Sequence, residues 1–228
     1  MTLSVPIRKY EIILGIVLFL VQQLVLPILL VVGAFLVGIE LDIVAINVIA
    51  FAFNFVLTLI VFFRYLKGNI LQIFNAPGRF LLYVGIGLLI YFIGTIAINL
   101  LITAIDPVFS NVNDAYIEEM TRDHYWPLFI STVFLVPVAE ECMFRGVVFR
   151  GLHERRRVLA YILSIVLFSG VHVAGYIGTE SALVLLLCFV QYIPAAFALA
   201  WTYERTDSVC ASILMHTLIN CYGMLLMR

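Results

Sequence analysis

Charged residues are scarce in this chain. They make up 12% of the 228 residues, whereas hydrophobic residues make up 64%. The mean hydropathy of +1.13 is typical of a chain whose solvent is lipid. The formal net charge is only −1, which gives no electrostatic basis for binding nucleic acid. The sequence also has no glycine-rich phosphate loop and no obvious internal repeat, which argues against nucleotide-binding and solenoid folds.

Cysteine is also rare. The four cysteines lie in or at the edge of apolar segments, and none forms a CxxC pair. This spacing predicts neither a disulfide framework nor a zinc site of the zinc-finger kind. We expect all four to be small buried apolar residues.

Long apolar runs fill the rest of the chain. A membrane-spanning helix needs about 20 such residues, and seven runs meet this length: 12–39, 43–63, 80–105, 127–152, 158–178, 181–203 and 209–227. We therefore predict an all-α, polytopic transmembrane helical bundle of seven spanning helices, with eight as the alternative. A polar connection at 106–126, with a short helix from Asn113 to Met120, separates the third run from the fourth.

The basic residues of the loops predict the orientation in the membrane. If the N-terminus is cytoplasmic and the seven segments alternate, ten Lys and Arg residues lie on the cytoplasmic side and two, Arg122 and Arg228, lie outside. This asymmetry follows the positive-inside rule. We expect a multi-pass protein of the cell membrane whose N-terminus is cytoplasmic, surrounded by membrane lipid.

Ionisable residues inside the apolar runs are the exception that suggests function. They are Glu140, Glu141 and Arg145 in the fourth run, His172 in the fifth and His216 in the seventh. A rise of ~1.5 Å per residue puts Glu140 ~18 Å, His172 ~22 Å and His216 ~12 Å from the cytoplasmic ends. Because a charge at this depth is costly, such residues usually mark a functional site.

The spacing of the two acids predicts different roles for them. Glu141 and Arg145 are four residues apart on one helix face, in the favourable order for an ion pair. Glu140 points about 100° away, so it can face a cavity and act as a general base. The alternative is a buried ion-pair network that only fixes the packing of the helices.

The other polar residues fall into pairs of the same kind. Phe168 and His172 share one helix face, and so do His216 and Asn220. His216 and Asn220 carry N–H donors that suit an oxyanion hole, although either can simply bridge helices. Interhelical hydrogen bonds are also the predicted role of four amides in other runs: Gln22, Gln23, Asn54 and Asn99.

The order of these motifs resembles a known family. EExxxR (Glu140, Glu141, Arg145), FxxxH (Phe168, His172) and HxxxN (His216, Asn220) follow one another as in the CAAX-protease and bacteriocin-processing family of glutamate-dependent intramembrane endopeptidases. The resemblance covers residues 127–228. It implies that Glu140 activates water with help from His172, that Glu141 and Arg145 form a supporting ion pair, that Phe168 lines the pocket, and that His216 and Asn220 stabilise the oxyanion.

We therefore expect an intramembrane endopeptidase that cuts a membrane-associated peptide or protein tail, prenylated or not. Residues 1–126 hold the N-terminal helices and the polar outer loop, and 127–228 form the catalytic four-helix core of the same membrane domain. No cofactor is expected to be required, and zinc held by Glu140, His172 and His216 is the alternative. The competing functions are a proton-coupled transporter and a non-proteolytic scaffold or bacteriocin immunity protein. The sequence predicts no oligomeric state.

Overall fold

The computed structural model describes residues 3–228. Over this range 85% of the residues are helical and no strand is present. Eight helices form within it, and seven of them are long and apolar enough to cross a membrane, which confirms the predicted fold class. The helices are α1 Lys9–Leu36, α2 Ile43–Val61, α3 Phe63–Asn75, α4 Pro77–Ile105, α5 Val112–His153, α6 Arg157–Ala174, α7 Ala182–Thr206 and α8 Val209–Leu226; the short one is α3.

The polar connection differs from its prediction. Instead of a loop with a short helix, residues 112–130 are helical and continue into the fourth span as α5, with a kink at His124. Asn111 caps this helix because its side-chain oxygen accepts hydrogen bonds from the backbone N–H groups of Asn113 and Asp114. The predicted division between residues 126 and 127 lies inside α5, close to the kink.

Two prolines widen the helices that contain them. A π-helical turn at Val21–Val25 precedes Pro27 in α1, and a second at Ser131–Leu135 precedes Pro137 in α5. Proline has no N–H and clashes with the carbonyl four residues earlier, and a wider turn accommodates both effects. A third π-helical stretch, Cys142–Arg150, begins directly after the two acids. The polar residues of α1 and α5 therefore lie beside irregular backbone.

Helix α5 holds the centre of the bundle. It packs against α1 and α2 on one side and against α6 and α8 on the other, while α7 packs between α4 and α6. The outer surface is apolar: Leu24, Ile28 and Phe35 are 63%, 63% and 81% exposed. In a membrane protein such side chains face lipid, and the polar groups lie inside the bundle.

Candidate active site

A fully buried ion pair lies at the centre of α5. Glu141 and Arg145 are each 0% exposed, and Arg145 Nε is 3.1 Å from Glu141 Oε2. Arg145 Nη2 also donates a hydrogen bond to the carbonyl of Ala196 in α7, 3.2 Å away, and the guanidinium carbon lies 4.8 Å from the centre of the Phe168 ring. The small side chains of α7 leave room for this approach. The predicted i, i+4 ion pair is present, and it joins α5 to α6 and α7.

His216 connects the ion pair to the second acid. Its Nδ1 lies 2.9 Å from Glu141 Oε1, and its Nε2 lies 3.9 Å from Glu140 Oε2. Because Arg145 pairs with Glu141 as the carboxylate, Glu141 accepts and His216 Nδ1–H donates. This bond fixes the ring so that Nε2 faces Glu140. Four groups thus form a chain across the bundle, from Arg145 through Glu141 and His216 to Glu140.

Glu140 is the member of this series of four side chains that lines a cavity. Its Oε2 is buried and has no hydrogen-bond partner among the described residues, and its side chain is 22% exposed. A buried carboxylate oxygen without a donor is costly, since it loses its hydration without replacement. Its position at the edge of a cavity makes it available to a water molecule.

His172 packs against Phe168 in α6. Its Nδ1 donates to the carbonyl of Phe168, 2.7 Å away, which leaves Nε2 free. The ring packs against Phe168 and Tyr192, with centroids 4.8 and 4.3 Å away. Within residues 3–228 His172 forms no ion pair with Glu140, whose basic neighbour is His216.

Asn220 is engaged with the backbone. Its side-chain N–H donates to the carbonyl of Thr132, 2.9 Å away, in the widened turn ahead of Pro137. One of its two amide hydrogens is therefore already used in holding α8 against α5. Its predicted role toward an oxyanion stays a prediction.

Two cavities adjoin this cluster. A small one of about 30 Å³ is lined by Glu140, and a large one of about 1550 Å³ between α1, α5 and α6 is lined by His172. Four side chains line both cavities: Phe19, Gln23, Phe51 and Met143. The acid and the histidine thus face neighbouring spaces that share a wall.

The site residues do not gather as metal ligands. In the described part of the chain, no three His, Cys, Asp or Glu side chains are arranged to hold a metal ion. His216 uses Nδ1 on Glu141, and His172 uses Nδ1 on the carbonyl of Phe168. The set Glu140, His172 and His216, considered above for zinc, does not fit a three-ligand site in this arrangement.

Tyr192 and its two hydrogen-bond partners were not expected at the site from the sequence. Tyr192 stacks on His172, and its hydroxyl donates to Asp114 Oδ1 at 3.0 Å while accepting from the side chain of Asn113 at 3.0 Å. These contacts tie His172 to the N-terminal turn of α5. No motif indicated them, because the polar segment 106–126 was predicted to be mainly a loop.

A second ionic cluster lies where α5, α6 and α7 end near the basic loop. Glu204 is 3% exposed and is bonded to His153 at 2.6 Å, to Arg157 at 2.5 and 2.8 Å, and to Tyr161 at 2.8 Å. His153 stands next to the basic loop in the sequence, and in the structure it is buried, at 4% exposed. The sequence does offer one signal for this cluster. Glu204 is an acid at the end of an apolar run, and the basic loop could lie opposite it.

The comparison with protein families supports the interpretation of the motifs. Residues 122–222 match the family described as type II CAAX prenyl endopeptidase Rce1-like, and every residue of the three motifs lies within this range. Residues 122–222 are therefore similar to that family, which confirms the resemblance predicted from the motifs.

One curated relative is similar over part of its length. It is the UPF0177 protein YbdI of Lactococcus lactis subsp. lactis (strain IL1403), which is 33% identical over 91 residues. The alignment covers 40% of this chain and 44% of the relative, so it spans less than half of either protein. No solved structure matches the chain.

Proposed function

We propose that this protein is a glutamate-dependent endopeptidase that hydrolyses a peptide bond of a membrane-associated peptide or protein tail. The observation that carries the proposal is the buried carboxylate oxygen of Glu140, which has no hydrogen-bond partner among the described residues and lies beside His216. Glu141 holds His216 in place, and Arg145 pairs with Glu141. A general base needs such an open lone pair, and a fixed neighbour keeps it oriented. The Rce1-like match over residues 122–222 supports the same activity.

The proposed reaction uses the two acids differently. Glu140 removes a proton from a water molecule, whose oxygen adds to the carbonyl carbon of the substrate. The tetrahedral intermediate then breaks its C–N bond, and Glu140 returns the proton to the leaving nitrogen, so that water is divided between the two products. Glu141 stays paired with Arg145 throughout and only positions His216.

The histidines are assigned to the substrate side. His172, whose Nε2 is free, lines the large cavity, where it assists in orienting the scissile carbonyl. His216 keeps Nδ1 on Glu141, and a proton on its Nε2, beside Glu140, would be donated to the developing oxyanion. Asn220 supplies the second donor of that site through its remaining amide hydrogen.

The large cavity indicates the class of substrate. Most of its lining is apolar, including Ile16, Leu20, Val166 and Leu167, and these four residues are between 41% and 49% exposed. Such a surface suits a peptide that carries an apolar segment or a lipid chain. Farnesylated and unmodified versions of one peptide in the assay distinguish these two possibilities.

The test is peptide cleavage by the purified protein in liposomes. Glu140→Gln should lower kcat by at least ~10²-fold, because the base is lost, and His172→Ala should also lower it. Glu118→Gln removes an exposed acid of α5 and is the matched control, with unchanged cleavage expected. Cleavage by Glu140→Gln at the wild-type rate would contradict the proposal, and so would proton flux across the liposome membrane without any cleavage.

A further inference from the structure

Three polar side chains of α1 and α2 form no hydrogen bond with the residues that the structure describes. Asn54 is 7% exposed and Thr58 is 2% exposed, yet neither side chain forms a hydrogen bond within residues 3–228, and the same holds for Gln22 of α1. The sequence predicted interhelical hydrogen bonds for Gln22 and Asn54. Asn99, predicted with them, does accept such a bond from Gln191 at 3.0 Å.

The unpartnered groups line the same small cavity as Glu140. This cavity has a volume of about 30 Å³, and Gln22, Asn54, Thr58 and Glu140 are all in its wall. A buried water molecule needs roughly 10–15 Å³ of such volume and two to four polar partners. The cavity therefore has room for about two water molecules.

The backbone explains why these groups converge. Asn54 and Thr58 are four residues apart in α2, so they lie on one helix face. Gln22 lies in the π-helical turn Val21–Val25, whose irregular geometry is imposed by Pro27. Polar side chains at such depth cost free energy unless they are hydrogen-bonded, and water is the partner that fits the space.

We propose that this cavity is a water site that holds the hydrolytic water against Glu140, with Asn54, Thr58 and Gln22 as its water-binding residues. The inference rests on the function proposed above. Glu140 Oε2 is the buried acceptor without a partner, so it is the group to which this water is bound. Because the peptide occupies the large cavity beyond the shared wall, its apolar segment does not displace the water.

The kinetic test removes the polar group of Thr58 or of Asn54 and keeps the shape of each side chain. Thr58→Val and Asn54→Leu should each lower kcat about tenfold and leave KM unchanged, since the substrate binds in the other cavity. Thr58→Ser keeps the hydroxyl and should restore kcat. Thr95→Val is the matched control, because the buried hydroxyl of Thr95 in α4 forms no hydrogen bond within residues 3–228 and lines neither cavity.

The water itself is measured by radiolytic hydroxyl labelling, which modifies side chains that contact bound water and needs no turnover. Phe62 lines only the small cavity and is 2% exposed, whereas Phe149 is 0% exposed and lines neither cavity. Phe62 should be labelled several-fold more than Phe149 in the wild type, and Asn54→Leu should remove the difference.

Each outcome decides one of the two proposals. Equal labelling of Phe62 and Phe149 in the wild type overturns the water site. Unchanged kcat in both Thr58→Val and Asn54→Leu overturns the assignment of this water to hydrolysis. If Phe62 is labelled as expected but the protein cleaves no peptide, the water site stands and the proposed function fails.

Discussion

Substitution of either Glu141 or Arg145 alone should destabilise the protein strongly, because the remaining side chain keeps a buried charge without its partner. Both side chains are 0% exposed, and their charged atoms lie 3.1 Å apart. Arg145→Met leaves the carboxylate of Glu141 buried with only the ring N–H of His216 as a partner. Glu141→Gln leaves the guanidinium of Arg145 with the Ala196 carbonyl and the Phe168 ring.

The magnitude follows from the uncompensated charge. Loss of one partner of a buried ion pair costs ~3–5 kcal/mol, because the remaining charge is neither hydrated nor paired. The double variant Glu141→Gln/Arg145→Met leaves no charge behind. It should therefore cost less than the sum of the single variants, with a coupling free energy of at least ~2 kcal/mol.

The assay is a double-mutant cycle of unfolding free energies in one detergent or bicelle system. Arg155→Met is the matched control, since Arg155 is exposed in the loop before α6 and should change stability by less than ~0.5 kcal/mol. If the losses of the two single variants add within ~0.5 kcal/mol, the two side chains are not coupled. The account of Glu141 as a charged brace for His216 would then be wrong.

The remaining predictions concern packing and the second ionic cluster. A methyl group at Gly87 would lie 2.0 Å from the Thr202 hydroxyl, so Gly87→Ala should lower stability by ~1–3 kcal/mol in a thermal unfolding measurement. A methyl group at Gly85 would have nothing within 4 Å, so Gly85→Ala should be tolerated in the same measurement. Glu204→Gln weakens three charge-assisted contacts and should cost ~1.5–3 kcal/mol, whereas Glu154→Gln, at an acid 49% exposed, should lie within ~0.5 kcal/mol of the wild type. Equal losses in either matched pair would contradict the corresponding packing or charge argument.

The spanning helices were predictable because the hydropathy of a 20-residue run depends on composition alone. The ion pair of Glu141 and Arg145 was predictable for a similar reason, since four residues along one helix bring two side chains together whatever surrounds them. Residues 112–126 were harder, because polar composition conceals a helix that a capping asparagine starts. Local sequence patterns thus predicted the features that depend on the composition of one run or on the spacing within one helix.

The neighbour of Glu140 could not be read in the same way. Matched depth suggested His172, but in the structure His216 faces the acid at 3.9 Å, and both histidine rings pack against Phe168. Depth fixes the position along a helix, whereas contact also depends on how each helix is rotated. In α5 that rotation changes at the π-helical turns on both sides of the acids, and no rule of spacing predicts it.

The division of the site into two cavities addresses a difficulty that any hydrolase faces inside a membrane. An apolar substrate expels water from the surface that binds it, while hydrolysis requires one water molecule beside the base. Glu140 lies in a small cavity that polar side chains partly line, and His172 lies in a large, mostly apolar one, so the proposed water and the proposed substrate would occupy separate spaces. The proposed hydrolysis would require the scissile carbonyl to reach the shared wall near Met143, where both spaces meet, so the position of that wall would determine which bond of a bound peptide is cut.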